Sequence, residues 1–352
     1  MFGNSIFDDK LLFGLAIGII FLAIAAFAFA FYAVNRRLRN IRTSQYWARL
    51  EQEWEPAILG VLSREDPEQV MWDRVRDEDE LYFIDFLLRY ARRVGGDERV
   101  VLAQLARPYL PKIHSRGRTG DAERRARSVQ TLSVLGINDY IDEIIAALDD
   151  PSPLVAMTAA RALMRREHPE YAPEVLRRLH RFTTWSSHYL ASMLSAVGPQ
   201  IAADVRRLFL NPDADTHSRS IAAEALAELN DLASAEAAVQ VIENEDDHDL
   251  VGAALRLLGR IGLPTHLDRV RQLCRSRDFV IRIHALTALG QLGHAEDIPV
   301  LREALDDQSP WVARHAADGI RNLGGTEVLR QIAESDHPRS GLAREMLAED
   351  LR

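Results

Sequence analysis

A recurring apolar position sets the strongest limit on how this 352-residue chain can fold. It returns every 31 or 32 residues through the last two thirds of the sequence. The seven residues of this ladder are Leu132, Leu163, Leu194, Leu226, Leu258, Leu289 and Ile320. A repeat of about 20–50 residues is typical of a solenoid, in which each unit buries its apolar face against its neighbours. The sequence therefore predicts a solenoid over residues 121–352.

Each repeat has the pattern of two antiparallel helices. In residues 281–293 apolar side chains recur every three or four positions, which places them on one face of a helix. Gly293 is expected to end that helix in the left-handed conformation, and Ser152 and Ser309 are expected to cap two other helices. The single cysteine, Cys274, falls in a leucine column and is expected to lie in the core. The predicted fold class is an all-α solenoid of about seven helix pairs.

An uninterrupted apolar run, Leu11–Val34, lies near the N-terminus and contains no charged residue. A membrane-spanning helix needs about 20 apolar residues, so this run is long enough. A cleaved signal peptide is the alternative, because Ala28-Phe29-Ala30 offers small residues at the positions that signal peptidase requires. The run is longer than the usual signal-peptide core of about 7–15 residues. We therefore expect residues 11–34 to form an uncleaved transmembrane helix.

The charges that flank this run predict its orientation. Only Lys10 is basic before it, whereas four arginines follow it closely: Arg36, Arg37, Arg39 and Arg42. Basic flanks stay in the cytoplasm, so residues 1–10 are expected outside and all later residues in the cytoplasm. Arginine greatly outnumbers lysine, which occurs twice, and alanine is abundant. This composition suggests a bacterial source, and hence the inner membrane.

Two segments separate the predicted anchor from the ladder. Residues 35–80 begin with the basic cluster and continue as a helical, strongly acidic segment that contains Trp54 and Trp72. Tryptophans at this spacing either pack against a neighbouring helix or form a docking surface for a partner. The sequence leaves both readings open.

Residues 81–120 are expected to form an N-terminal helical cap that ends in a loop. Two apolar stripes predict the helices of the cap, which shields the first layer of the solenoid core. Residues 112–121 are rich in glycine and arginine and are expected to form a mobile loop. Arg116 and Arg118 in this loop are candidate contacts to a partner or an anionic ligand.

One repeat departs from the pattern of the others. Its first helix is preceded by polar and aromatic residues where other repeats have a valine and an arginine. Trp185, His188 and Tyr189 are therefore candidate partner-binding residues. A bend in the solenoid would explain the same departure, and the sequence does not decide between the two.

The repeats resemble the HEAT-like repeats first noted in phycobilisome lyases, whose pattern is V-R-x-x-A-x-x-A-L-G-x-L-G. Ile281–Gly293 follows this pattern nearly throughout, and Val312–Gly324 follows it more loosely. The resemblance covers residues 121–352 and implies the solenoid architecture. Proteins with such repeats include scaffolds, adaptors and a few enzymes, so the fold alone does not imply an activity.

Composition and motifs narrow the functional classes. The net charge is −9 at pH 7, which argues against nucleic-acid binding. The di-iron hydroxylases built from such repeats carry His-Glu dipeptides, but none of the eleven histidines here is followed by glutamate. We therefore expect no metal, no cofactor and no catalytic residues. The sequence favours a non-enzymatic membrane-anchored scaffold that binds protein partners, for example a membrane enzyme or an envelope-biogenesis complex. The alternative is a lyase-like enzyme that acts on a small ligand in the solenoid groove.

Overall fold

A computed structural model of the protein describes residues 5–349, and all regular secondary structure in this range is helical. The predicted extracytoplasmic segment and the predicted end of the solenoid extend beyond it, to residues 1–4 and 350–352. The α-helices are α1 (Ser5–Leu62), α2 (Gln69–Trp72), α3 (Glu80–Ala91), α4 (Gly96–Ala106), α5 (Leu110–Thr119), α6 (Ala122–Leu135), α7 (Ile141–Ala146), α8 (Pro153–Leu163), α9 (Ala172–Leu176), α10 (Ser187–Ser195), α11 (Ala202–Leu210), α12 (Thr216–Glu228), α13 (Ser234–Asn244), α14 (His248–Ile261), α15 (Leu267–Leu273), α16 (Phe279–Leu292), α17 (Ile298–Ala304), α18 (Pro310–Asn322), α19 (Thr326–Glu334) and α20 (Ser340–Glu349).

The chain divides into two compact units. One contains residues 1–112 with 134–136, and the other contains residues 113–133 with 137–352. Helices α6 to α19 alternate as first and second helices of seven successive repeats, and α20 adds a half repeat. The predicted all-α solenoid of about seven helix pairs is confirmed.

The ladder residues lie in the core of the repeats. All seven are at most 3% exposed, and burying one leucine or isoleucine side chain contributes about 1.5–3 kcal/mol. From α10 to α18 each first helix packs directly against the next first helix. The contact between α8 and α10 is much weaker than that between α10 and α12. Cys274 is buried, as predicted, and burial raises the pKa of its thiol to about 12. A thiol with this pKa stays protonated at neutral pH.

The closest approach between two first helices is made by glycines. A Cβ atom on Gly290 of α16 would lie 2.6 Å from the Cα atom of Gly319 in α18. This is much shorter than a carbon–carbon contact of about 3.5–4.0 Å. Neither backbone can retreat without disturbing the ladder, so the packing of α16 on α18 requires glycine here.

The glycines that end the first helices do so in two ways. Gly198 and Gly324 have φ values of 109° and 77°, which are left-handed as expected for a terminating glycine. Gly293 has a φ of −73°, so the prediction of a left-handed cap there was wrong. Its glycine is required for space, because a Cβ atom would lie 2.5 Å from the carbonyl oxygen of Leu289.

Two bidentate ion pairs recur five repeats apart. Arg125 Nε and Nη2 donate to the carboxylate of Asp150 at 2.8 and 2.9 Å. The equivalent atoms of Arg282 donate to Asp307 at 2.7 and 3.0 Å. All four side chains are at most 25% exposed. The arginine of the repeat pattern therefore fastens a first helix to the turn that leads into the next repeat.

The same aspartates replace the predicted serine caps. Ser152 and Ser309 stand at the N-cap positions of α8 and α18, but their side chains accept no capping hydrogen bond. Instead, Asp150 and Asp307 accept hydrogen bonds from the backbone N–H groups of these serines, both at 2.8 Å. Each aspartate therefore binds the arginine of one repeat and accepts a hydrogen bond from the backbone at the start of the next repeat's first helix.

Substitution of Arg282 by alanine should lower the free energy of unfolding by about 1–3 kcal/mol. The largely buried carboxylate of Asp307 would lose both hydrogen bonds from the arginine and keep the one from the Ser309 N–H. Chemical denaturation of the purified chain measures this change. Arg275→Ala is the matched control, since Arg275 and Glu303 pair at 2.6 Å on the open surface and such pairs contribute little. An equal loss of stability in both variants would contradict the assignment.

The effect of Arg282→Ala should also depend on pH. Burial alone would raise the pKa of Asp307, but hydrogen bonds from Arg282 and from the Ser309 N–H outweigh it and lower that pKa. A group with a lowered folded pKa stabilises the protein above its unfolded pKa, about 3.9 for aspartate. This contribution is lost as the pH falls through the folded pKa. The stability difference between the two chains should therefore shrink below about pH 4.

The predicted mobile loop at residues 112–121 is largely helical, because α5 extends to Thr119. Ile113 is buried, which anchors this helix by an apolar side chain. A Cβ atom on Gly117 would lie 2.7 Å from the Cβ atom of Ser128, so the glycine allows α5 to approach α6. The glycine that suggested flexibility serves close packing.

The N-terminal apolar run lies within α1, which continues without interruption to Leu62. Among the described residues one stretch, Ile20–Leu62, is long and apolar enough to cross a membrane. Length and composition alone support this statement, and a signal sequence at this place has the same properties. The four flanking arginines are exposed on the same helix: Arg36, Arg37, Arg39 and Arg42.

Candidate functional site

The divergent repeat places three predicted site residues at the start of α10. Ser186 caps this helix by accepting a hydrogen bond from the Tyr189 N–H at 3.3 Å. The rings of Trp185 and Tyr189 stack with their centroids 5.5 Å apart. His188 projects from the first turn and is 78% exposed. These residues therefore lie together at the start of α10.

His188 meets two glutamates of the next first helix, α12. Its Nδ1 atom lies 2.9 Å from Glu224 Oε1 and 3.5 Å from Glu228 Oε1. The glutamates are four residues apart, so they share one face of α12. The three ligand atoms lie within 4.8 Å of one another, the one such cluster found among the described residues. We call these residues the His188 cluster.

Two serines of α10 fix the second glutamate. Ser192 Oγ donates to Glu228 Oε1 at 3.1 Å, and Ser195 Oγ lies 2.6 Å from Glu228 Oε2. Glu228 is 19% exposed, whereas Glu224 is 36% exposed. The His188 cluster therefore contains one carboxylate with fixed orientation and one that is freer to move.

Several buried polar atoms of α12 and of the segment before α10 have no hydrogen-bond partner within the chain. Six buried side-chain nitrogen or oxygen atoms of residues 5–349 have no hydrogen bond, and three of them belong to α12 or to the segment that leads into α10. They are Trp185 Nε1, His217 Nε2 and Ser220 Oγ. Ser220 lies one turn before Glu224 on the same face of α12. Such atoms are rare in native proteins and require an explanation, for example a bound water or ion.

Further along the first helices, histidines are used in packing. His284 of α16 lies 3.2 Å from the guanidinium of Arg256 in α14. A Cβ atom on Gly252 would lie 2.5 Å from the His284 ring, so this glycine makes room for it. Burial and the charges of Arg256 and His315 lower the pKa of His284 to about 4. The ring is therefore neutral at physiological pH.

The N-terminal ends of the first helices carry exposed apolar side chains. Leu154 of α8, Phe279 of α16 and Trp311 of α18 are 48%, 49% and 65% exposed. Leu154, Trp185 and Trp311 each stand nine residues before their ladder residue, and Phe279 stands ten before its own. We call Leu154, Phe279 and Trp311 the apolar edge. Sequence reasoning did not single out these three residues.

The other predicted site residues are not gathered at one place. Trp54 is fully buried between Phe83 and Phe86, with ring centroids 5.4 and 5.5 Å away. This burial removes Trp54 from any docking surface. Trp72 is half-buried and donates its indole N–H to the carbonyl oxygen of Leu105 at 3.1 Å. Both tryptophans therefore pack against neighbouring helices, the first of the two readings.

The predicted arginine contacts lie on a helix. Arg116 and Arg118 are exposed on α5. The backbone around them is helical, so these arginines do not lie in the mobile loop that the sequence predicted. Neither residue belongs to the His188 cluster or to the apolar edge.

A surface groove of about 1030 Å³ lies beside α9 and α11. Its two arginines are already paired, because Arg207 binds Asp204 at 3.0 Å and Arg177 binds Glu174. The predicted site residues do not line it. The groove therefore offers no charge that a small ligand would neutralise at these two arginines.

Comparison with known families agrees with the helical-repeat architecture. The HEAT-repeat family matches residues 235–324 and 270–348. No curated protein matches the chain. Residues 235–348 thus match HEAT repeats, within an all-α solenoid that follows a long N-terminal apolar helix.

Solved structures with a similar fold include two of a karyopherin. The karyopherin Kap121p bound to the SUMO protease Ulp1p shares 16% identity with a TM-score of 0.44, over 78% of this chain and 36% of that chain. A mutant of Kap121p shares 16% identity with a TM-score of 0.43, over 86% and 40%. An engineered protein shares 18% identity with a TM-score of 0.32, over 60% and 96%. This chain spans well under half the length of the karyopherin chains.

Proposed function

We propose that this protein is a non-enzymatic, membrane-anchored scaffold that binds a protein partner along its apolar edge. The observation that carries the proposal is the repeated exposure of Leu154, Phe279 and Trp311 at the N-terminal ends of the first helices. Single exposed apolar residues are common on protein surfaces. A recurrence at the same end of several first helices, within one residue of the same repeat phase, is different, because it places these side chains at equivalent positions of the array.

The chemistry of the apolar edge suits a protein partner. Exposed tryptophan and phenylalanine supply large contact areas and are the residues that most often dominate protein interfaces. The edge is bordered by the acidic N-cap residues Asp247 and Asp278, which would form a polar rim. A partner with an apolar centre and basic surroundings fits this pattern.

The N-terminal helix supports the membrane part of the proposal. Its apolar residues, including Phe27 and Phe29, are exposed along most of their surface, which a bilayer would cover. We place the anchor in a bacterial inner membrane as a single pass, with the N-terminus outside and the repeats in the cytoplasm, because the arginines follow the apolar run. Activity of a C-terminally fused reporter only after export would contradict this orientation.

Anchoring would promote partner binding by raising the effective concentration of the repeats near membrane-bound partners. A repeat array held at the membrane meets membrane-bound partners at a far higher effective concentration than a free one. A membrane enzyme or an envelope-biogenesis complex is the class of partner that gains most from this arrangement. The scaffold would hold such a partner without changing it chemically.

Replacing Trp311 and Phe279 together by alanine should weaken partner binding by about 30-fold or more, since two interface anchors of about 1 kcal/mol or more each are lost. The partner is first identified by photo-crosslinking from position 311 of the intact protein in membranes. Binding of that partner is then measured with the purified full chain.

Leu232→Ala is the matched control for this experiment. Leu232 is 64% exposed, but it lies in the turn between α12 and α13, away from the apolar edge. The control should leave binding unchanged. Equal binding by the double variant and the original chain would remove the apolar edge as the docking surface.

A further inference from the structure

We propose that His188, Glu224 and Glu228 bind a first-row divalent metal ion, with Zn²⁺ as the best fit, between the first helices of two consecutive repeats. The inference stands on the geometry of the His188 cluster and does not depend on the proposed scaffold function. It also revises the expectation from the sequence that the protein binds no metal.

The separations of the ligand atoms suit a tetrahedral ion. Zinc–nitrogen and zinc–oxygen bonds of about 2.0–2.1 Å imply ligand atoms about 3.3 Å apart in a tetrahedral site. The two distances from His188 Nδ1, 2.9 and 3.5 Å, lie on either side of that value. The two glutamate oxygens lie within 4.8 Å of each other, so side-chain rotations would bring all three ligand atoms onto one ion.

The chemistry of the ligands selects the class of metal. One imidazole nitrogen and two carboxylates are ligands that Zn²⁺ and its first-row neighbours accept. Ca²⁺ and Mg²⁺ prefer oxygen ligands throughout. Three protein ligands on an exposed surface leave one tetrahedral position for water. Arg256 of α14 interacts electrostatically with Glu224, which limits the net negative charge of the site.

The surroundings of Glu228 match those of a metal ligand. Carboxylates that bind metals are commonly held by hydrogen bonds from neighbouring side chains, and loss of such support costs about 10–100-fold in affinity. Ser192 and Ser195 hold both oxygens of Glu228 in this way. They also leave Glu228 Oε1 facing His188, which is the oxygen that would bind the ion.

The two segments that carry the cluster also carry buried polar atoms without a partner in the chain. The three unpartnered polar atoms, on Trp185, His217 and Ser220, come from the segments that carry the cluster. Hydrogen bonds among the cluster residues alone do not account for these atoms.

A second histidine provides the matched comparison. His248 Nδ1 lies 2.9 Å from Asp278 Oδ2 between the first helices α14 and α16. The pairing resembles that of His188 with Glu224, but no second carboxylate completes a three-ligand cluster among the described residues. His248 should therefore contribute nothing to metal affinity.

The test is isothermal titration of Zn²⁺ into the metal-free full chain, reconstituted in lipid nanodiscs. We expect one saturable site. Variants His188→Ala, Glu224→Gln and Glu228→Gln should each weaken it at least 10-fold, and Ser195→Ala should weaken it less. His248→Ala should bind as tightly as the original chain. Glu228→Gln keeps the size of the side chain and can still hydrogen-bond both serines, because its amide oxygen accepts from one hydroxyl and its N–H donates to the other, so it separates metal binding from local folding.

The remaining outcomes decide against the proposal. Absence of a saturable site, or a site that survives in the variant lacking all three ligands, would overturn it. Mg²⁺ binding as tight as Zn²⁺ binding would overturn the assigned metal class. The helical content of each variant is measured by circular dichroism in the presence of chelator. If it is unchanged, the loss of Zn²⁺ binding does not come from unfolding.

Discussion

Substitution of Gly290 by valine should destabilise the repeat array more than any other single change considered above. The new Cβ atom would lie 2.6 Å from the Cα atom of Gly319, and a backbone atom cannot rotate away as a side chain can. Overpacking of this kind costs on the order of 3 kcal/mol. Chemical denaturation of the purified chain, followed by circular dichroism, should show the loss as a lower midpoint.

Gly341→Val is the control for this steric argument. Gly341 also lies in a helix, α20, but nothing approaches within 4 Å of its Cβ position. The same side chain there should leave the midpoint unchanged or raise it slightly, because valine is a better helix former than glycine. A similar loss in both variants would show that the change of residue type, and not the close approach, is responsible.

Arginines at Ile24 and Phe27 should release the protein from the membrane. Both side chains are more than 60% exposed on α1. An arginine near the centre of a spanning helix costs about 2.5–3.5 kcal/mol, so the pair should oppose insertion by about 5–7 kcal/mol. Carbonate washing of isolated membranes should leave the original chain in the pellet and move the double variant into the supernatant or into degradation.

Ile41→Arg is the control for this second change. Ile41 is 43% exposed on the same helix, but it lies beyond the apolar run, among the basic residues. The added charge there should not alter membrane retention. Retention of the double variant after carbonate washing would contradict the anchor, and a shortened mature chain would instead indicate a cleaved signal sequence.

The fold could be predicted because its signal is repeated. Every ladder residue is buried in the same way, so the one atypical repeat, which contains Leu194, does not hide the period of 31 or 32 residues. The local structure within a repeat was harder to predict from the sequence. Gly293 and Gly117 were read as a left-handed cap and a flexible loop, because sequence does not distinguish a glycine that supplies conformational freedom from one that supplies space.

The candidate site could be predicted only in part. Trp185, His188 and Tyr189 were visible because they break the repeat pattern. Glu224 and Glu228 are ordinary surface residues of a regular helix until α10 packs against α12. His188 and Glu224 are 36 residues apart, a distance with no local motif. The available signal was the spacing of the two glutamates. They are four residues apart in the first helix of the repeat that follows the divergent repeat, so a search for such a pair could have found them.

The weak contact between α8 and α10 has a mechanical consequence. This junction resists separation less than the tightly packed first helices from α10 to α18, and the second helix between α8 and α10, α9, has only five residues. Force applied through a bound partner would therefore be relieved at this junction while the repeats from α10 to α18 stay intact. The divergent repeat would then work as a compliant joint, which lets the array follow a moving partner without unfolding.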